Sequence, residues 1–98
     1  MTPSNNQDTF YDLELYVSGD SFVSQRAIEA VKTMCEKELT GQYDLKIIDL
    51  LEDPESAVRE NIVAIPTLYR KSPEPKRQII GDLQNIERVM RGLEITKA

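Results

Sequence analysis

Apolar positions along the chain first alternate with polar ones and then fall into helical spacing, and each change of period marks an element. Tyr11, Leu13, Leu15 and Val17 alternate with Asp12, Glu14 and Tyr16, the period of a strand with one buried face. Ser18-Gly19-Asp20 breaks the run. From about Ser24 to Leu39, Ala27, Ile28, Val31, Met34, Cys35 and Leu39 share one helical stripe, with Glu29, Lys32, Glu36 and Lys37 opposite. Asp20, Ser21 or Ser24 is placed to cap its start, and Gly41 lies just beyond its end. A second strand is expected from about Leu45 to Leu50. Asp53-Pro54-Glu55 reads as an N-cap, a first-turn proline and an acid at the positive end of a helix dipole. It predicts a short helix from Pro54 to Glu60, with Ala57 and Val58 turned inward.

Ile62-Val63-Ala64-Ile65 then leads into Pro66. Proline has no donor for a ladder, so the third strand is expected to begin after it and reach Lys71. Ser72-Pro73-Glu74-Pro75 is a turn, and Lys76 to Ile80 returns as the other arm of a hairpin. Gly81-Asp82 ends that arm, with Asp82 as the cap of a last helix. Leu83, Ile86, Val89, Met90 and Leu93 form its apolar stripe, and Gly92 falls near its end. Residues 1–9 carry Pro3 and no periodicity and read as a loose tail. Residues 10–95 read as one domain, and 96–98 as its end.

Strands joined through a helix are parallel with a right-handed crossover, whereas a hairpin is antiparallel. The expected fold is therefore α/β, a four-stranded mixed sheet with helices on both faces in the order β-α-β-α-β-β-α. That is a thioredoxin-like architecture. It places a cis-proline immediately before the third strand, so Ile65–Pro66 is expected to be cis.

Composition narrows the chemistry. Ninety-eight residues, 40% of them apolar, make one core. A net charge of −5, from 17 acids and 12 bases, argues against a general nucleic-acid binder or a polybasic membrane anchor. Without histidine, the commonest general base and zinc ligand are missing. One cysteine makes neither an internal disulfide nor a C-x-x-C pair. No apolar run exceeds Ile62–Ile65, so neither a membrane span nor a signal peptide is expected, and the unpaired thiol agrees with the cytoplasm.

Thioredoxin-type oxidoreductases keep their C-x-x-C at the first strand-to-helix junction. Here that junction reads Ser18-Gly19-Asp20-Ser21-Phe22-Val23-Ser24, and serine hydroxyls cannot exchange disulfides; capping is their expected role. Cys35 lies in the apolar stripe, where a thiol behaves as a small hydrophobe. Asp49, Glu52 and Asp53 cluster where open α/β sheets bind ligands, but no phosphate loop or histidine accompanies them. Arg70, Lys71, Lys76 and Arg77 surround Glu74 as the one concentrated positive patch. It is either a solvated hairpin tip or a docking surface for an acidic partner. Tyr69 is the only aromatic beside it, too few stacking platforms for single-stranded nucleic acid. No catalytic, cofactor or metal residue is assigned.

Four segments carry a family resemblance: Leu13-Glu14-Leu15-Tyr16-Val17-Ser18-Gly19, Tyr43-Asp44-Leu45-Lys46-Ile47-Ile48-Asp49, Ala64-Ile65-Pro66-Thr67-Leu68 and Ile79-Ile80-Gly81-Asp82-Leu83. Over about residues 10–95 the chain resembles KaiB, the small clock protein family of cyanobacteria and its homologues. The last segment, followed by Asn85, Glu87, Val89 and Gly92-Leu93, separates it from the KaiB-like sensor domains of histidine kinases. The resemblance implies a non-catalytic protein that binds the hexameric ring ATPase KaiC and regulates its phosphorylation rhythm. It implies recruitment of KaiA and of clock-output histidine kinase or phosphatase components. It also implies a metamorphic fold: a ground state, often tetrameric, with a rearranged C-terminal half, and a monomeric thioredoxin-like binding state. Two such packings lie within about a few kcal/mol of each other.

Carried over by position, Arg26, Lys46, Glu55, Arg59 and Asn61 are implied partner contacts, and Pro66, Asp82, Gly92 and Glu94 belong to the fold-switching region. Phe22 stands where the family commonly has proline, Asn61 where it commonly has a basic residue, and Arg91 interrupts an apolar stretch. Arg91 and Glu94 suit an exposed helix better than a buried strand, which favours a populated thioredoxin-like state without partner. Three readings stay open: an oscillator component, a KaiB-like stress or signalling adaptor for a KaiC-type ATPase, and a thioredoxin-like enzyme with thiol-independent activity.

Overall fold

In the computed structural model, residues 9–95 are described; the expected tail at 1–8 and the end at 96–98 lie outside the described residues. The elements are β1 (Tyr11–Val17), α1 (Phe22–Glu38), β2 (Tyr43–Asp49), α2 (Glu55–Arg59), β3 (Thr67–Ser72), β4 (Arg77–Ile80) and α3 (Ile86–Gly92). The sheet order is β2-β1-β3-β4. β1 runs parallel to β2, with Tyr11 beside Tyr43 and Val17 beside Asp49. It runs antiparallel to β3, which pairs with β4 as a hairpin. This is the mixed sheet the element order demands. On one face Leu13, Leu15 and Val17 meet α1 through Val31, Met34 and Cys35, and α3 through Val89 and Leu93. The other face carries a smaller cluster, Tyr16, Tyr69 and Ile62, which Ala57 of α2 joins.

The expectation of one buried face on β1 is corrected. As an inner strand it is buried on both, so Glu14 and Tyr16 are 6% and 1% exposed. A buried carboxylate needs partners. The Tyr16 hydroxyl donates to Glu14 at 2.6 Å, and Lys71 Nζ lies 3.5 Å from Glu14 and 3.9 Å from Glu60.

Ser21, one of the three expected candidates, caps α1, whereas the caps of α2 and α3 are not the expected residues. α1 begins at Phe22, ahead of Ser24, because Ser21 is the N-cap and its Oγ accepts the Ser24 N–H. Asp53 does not cap α2. The N-cap is Pro54 without a side-chain bond, Asp53 pairs with Arg59 at 3.6 Å, and its carbonyl accepts from the Ser56 hydroxyl. Consequently Ser56 faces inward with Ala57 half-buried, and Val58 is turned out. Asp82 does not cap α3 either: its Oδ1 accepts the Gln84 N–H, while Asn85 Oδ1 takes the Arg88 N–H as the true cap. Leu83 is still buried, but through a turn ahead of the helix. Ile65–Pro66 is cis, as are Ser72–Pro73 and Glu74–Pro75.

The positive patch is only partly a solvated tip: Lys76 and Arg77 are exposed, but Arg70 is not. Arg70 is 4% exposed and donates to the carbonyls of Leu93 at 2.7 Å, Glu94 at 3.4 Å and Pro75 at 2.5 Å. Arg77 pairs with Glu94 at 3.1 Å, and Lys71 is taken by Glu14 and Glu60. Arg91 and Glu94 are exposed, as their charge requires.

Several acidic protons are held tightly. Burial pushes the Cys35 thiol up to about 12, helped by the Glu36 charge. The Tyr43 hydroxyl is pushed up to about 12 by its bond to Glu36, and Tyr69 to about 12 by burial and then its bond to Glu60. Burial and then the bond to Glu14 raise Tyr16 as well. Each group keeps in the folded state a proton that the unfolded chain releases at its ordinary value, so the contribution is complete below about pH 9 and is lost as pH rises toward about 12. Urea midpoints at rising pH should fall steadily over that window. An unchanged midpoint at about pH 11 would contradict these environments.

Candidate docking surface

β1 and β2 are parallel and end on the same side of the sheet, where β3 begins and β4 ends. The β1–α1, β2–α2 and α2–β3 loops therefore gather there, the usual ligand edge of an open α/β sheet. Asp49 stitches two of them together, its Oδ1 accepting the Gly19 N–H at 2.8 Å and the Leu51 N–H at 2.9 Å. Gly19 has φ +65°, and a Cβ there would stand 2.9 Å from Leu51 Cδ1, so glycine permits both the turn and the contact. Asp49→Ala leaves two N–H groups without that acceptor and should destabilise the fold by roughly 1–3 kcal/mol, read by urea unfolding.

The serines of the first junction are consumed by structure. Ser24 Oγ accepts the Ser18 N–H and contacts the Ser18 carbonyl and Ser21 Oγ, fixing the start of α1. Cys35 is wholly buried and its proton is firmly held, so it offers no thiolate. Asp49 and Asp53 of the acidic cluster bind backbone N–H groups and Arg59.

What this edge does present is apolar. Val63 is 83% exposed and Leu51 72%, with Ile65 also exposed, in the α2–β3 and β2–α2 loops; Val58 is 79% exposed on α2 between them, and Phe22, at 73%, and Val23 are exposed at the start of α1. Val23 and Pro66 line one small cavity with Leu83 and Gly81, whose N–H donates to the Pro66 carbonyl, so the α1 start and the proline loop adjoin. Exposed large apolar side chains on neighbouring segments make this edge a candidate docking surface.

The family-implied contact residues divide between two regions. Lys46 is exposed on β2; period-2 alternation puts it on the same face as Ile48, which packs on the α2 side. Glu55 and Arg59 lie on α2, and Asn61 follows it with φ 59°. These four belong to the α2 side of the molecule. Arg26 does not join them: it lies on α1 across the sheet, 5.3 Å from the Phe22 ring centroid, and donates to Gln84 Oε1. A shallow groove runs between Phe22, Arg26, Gln84 and Ile86 there.

Of the fold-switch residues, Pro66 borders the rim and Asp82 shapes the turn before α3. Gly92 closes α3, where a Cβ would collide with Ile79 Cδ1 of β4; Glu94 follows with φ 56°. Sequence reading passed over Leu51, Val58, Val63 and Ile65 as recognition residues. The available signal was that Leu51, Val63 and Ile65 are apolar residues outside any periodic element.

Similarity to known proteins agrees with the fold. Residues 14–95 match the KaiB domain family. The chain is 45% identical over 83 residues to the circadian clock protein KaiB3 of Synechocystis, covering 85% of this chain and 81% of that one. It is 46% identical over 85 residues to the circadian clock oscillator protein KaiB of Gloeothece citriformis, covering 87% and 80%. Among solved structures, the N-terminal domain of Synechococcus elongatus SasA superposes with a TM-score of 0.72 at 20% identity, covering 100% of this chain and 95% of that one. The Drosophila germline thioredoxin Deadhead gives 0.70 at 16%, covering 89% and 84%. At those identities the two structures establish the thioredoxin-like fold alone. A family match over residues 14–95 and identity of this extent, on that fold, make the chain a member of the KaiB family of circadian clock proteins.

Proposed function

We propose that this protein is a non-catalytic, cytoplasmic regulator that docks on a KaiC-type hexameric ATPase in its thioredoxin-like state. There it modulates the phosphorylation rhythm of the ring by recruiting other clock components, of which KaiA and output histidine kinases or phosphatases are the candidates. The observation that carries this reading is the exposed apolar rim of Leu51, Val58, Val63 and Ile65 in a chain about 45% identical to clock proteins. Such a rim anchors a partner, and the charges of Glu55, Arg59 and Lys46 on the adjoining face steer it. Pro66, Asp82, Gly92 and Glu94 lie in the part of the chain that rearranges if the fold switches. Among the described residues no helix is long and apolar enough to cross a membrane.

Fluorescence anisotropy of the labelled protein with nucleotide-loaded KaiC hexamer, followed over time, tests the reading. Rapid saturable binding is expected, because the competent state is the one already folded. A rise over minutes keeps the function and shifts the resting population toward the other fold. Absence of binding overturns the partner assignment.

A further inference from the structure

The three loops that gather at the ends of β1 and β2 cover residues 18–21, 50–54 and 60–66. Together they carry Asp20, Glu52, Asp53 and Glu60 but no lysine or arginine, although the chain has 12 bases. The bases closest to these loops are bound back into the structure or set apart from them. Arg59 pairs with Asp53 at 3.6 Å, and Lys71 reaches Glu60 at 3.9 Å. Arg26 donates to Gln84 on the α1 side. Lys46 stands three residues before the end of β2, about 10 Å back along the strand. What remains outward is acidic: Asp20, Glu52 and, at the start of α2, Glu55 are exposed, and none has an ion-pair partner among the described residues.

On the reading of this rim as the docking face for a KaiC-type hexamer, we infer that the matching surface of the partner is an apolar patch bordered by lysine and arginine. Leu51, Val63 and Ile65 belong to the same loops as the carboxylates. A partner that covers this apolar centre therefore brings its own border against Asp20, Glu52 and Glu55. Like charges there would repel more strongly as water is squeezed out. Opposite charges attract before contact, over about 8–10 Å at ordinary ionic strength. Phosphate, nucleic acid and anionic lipid carry the wrong sign for this border. A bare polycation would leave the apolar centre uncovered, so the chemistry asks for a protein surface with both features. The net charge of −5 does not by itself give the rim its sign. On the outer side of α1, Glu29 and Glu36 are interleaved with Lys32 and Lys37, all exposed, and such a mixed face has no dominant sign. The sign arises because the fold collects loops that are free of bases, from segments about forty residues apart in the chain.

Equilibrium anisotropy of the labelled full chain with nucleotide-loaded KaiC hexamer, from about 50 mM to about 500 mM potassium chloride, tests it. The dissociation constant of the unaltered chain should rise with salt. At the low-salt end Glu52→Lys and Glu55→Lys should each weaken binding about threefold or more, and the gap should narrow at the high-salt end. Glu36→Lys makes the same change of net charge near the far end of α1, and should bind within about 1.5-fold of the unaltered chain. Far-UV circular dichroism on each variant separates lost docking from lost folding. An equal loss in all three variants means that net charge alone acts, and overturns the inference. So does tighter binding by Glu52→Lys or Glu55→Lys, which would put acids on the partner's border. Binding indifferent to salt and to every exchange overturns it too, while docking itself stands. No binding at any salt concentration overturns the docking face and this inference with it.

Discussion

Arg70→Ala is expected to lower the unfolding free energy by about 3 kcal/mol or more, the scale for breaking a buried charged network from one side. The guanidinium joins β3 to three carbonyls, those of Leu93 and Glu94 at the end of α3 and of Pro75 in the hairpin turn. Its removal leaves those acceptors buried beside a cavity. The end of α3 gains more from a cation than its hydrogen bonds alone, because unsatisfied carbonyls there carry partial negative charge. Arg70→Lys should recover under half of the loss, since one ammonium on a flexible stem cannot span the same fork. Urea unfolding measures the change, and amide exchange locates it. The Ile95 N–H, bonded to the Met90 carbonyl, should lose protection first. A loss under about 1 kcal/mol would mean that Arg70 is a spectator in the core.

Val63→Asp should weaken docking to a KaiC hexamer at least tenfold, with stability held to within about 0.5 kcal/mol. At 83% exposure Val63 contributes little to the core, so the carboxylate costs little in the free protein. In an apolar interface it must be stripped of water without a partner. Lys37→Asp, on the exposed side of α1, is the control and should leave the affinity unchanged. If Val63→Asp binds as well as the unaltered chain, the rim is not the contact and the α2 charges must act elsewhere.

Much of this was legible locally. The α1 stripe of Ala27, Val31, Met34, Cys35 and Leu39 is buried as its spacing demands, because an amphipathic helix buries one side whatever it packs against. The same holds for the hairpin, the parallel pairing of β1 with β2 and the cis Pro66. Caps were less legible. Asp53 and Asp82 are as good capping residues as Ser21 and Asn85, and the choice among them depends on where the following helix can dock. Leu83 is pulled into the core ahead of α3, and the helix starts only where the chain has cleared that contact.

Element type and order, the acidic surface and the missing redox pair are therefore consequences of the sequence alone, since they depend on spacing and composition. Strand order is not local. It makes β1 an inner strand and buries Glu14 against Tyr16 and Lys71, and it leaves β2 open as an edge. It also brings Arg70 to carbonyls 23 and 24 residues further along the chain. A charge at an alternating position reads as solvent-facing until the neighbouring strands are in place. An apolar residue in a loop likewise reads as core until α2 shows which of its sides is left uncovered. Those burials and exposures arise only when distant segments meet, and for that reason the tertiary structure alone decides the docking rim and the free edge.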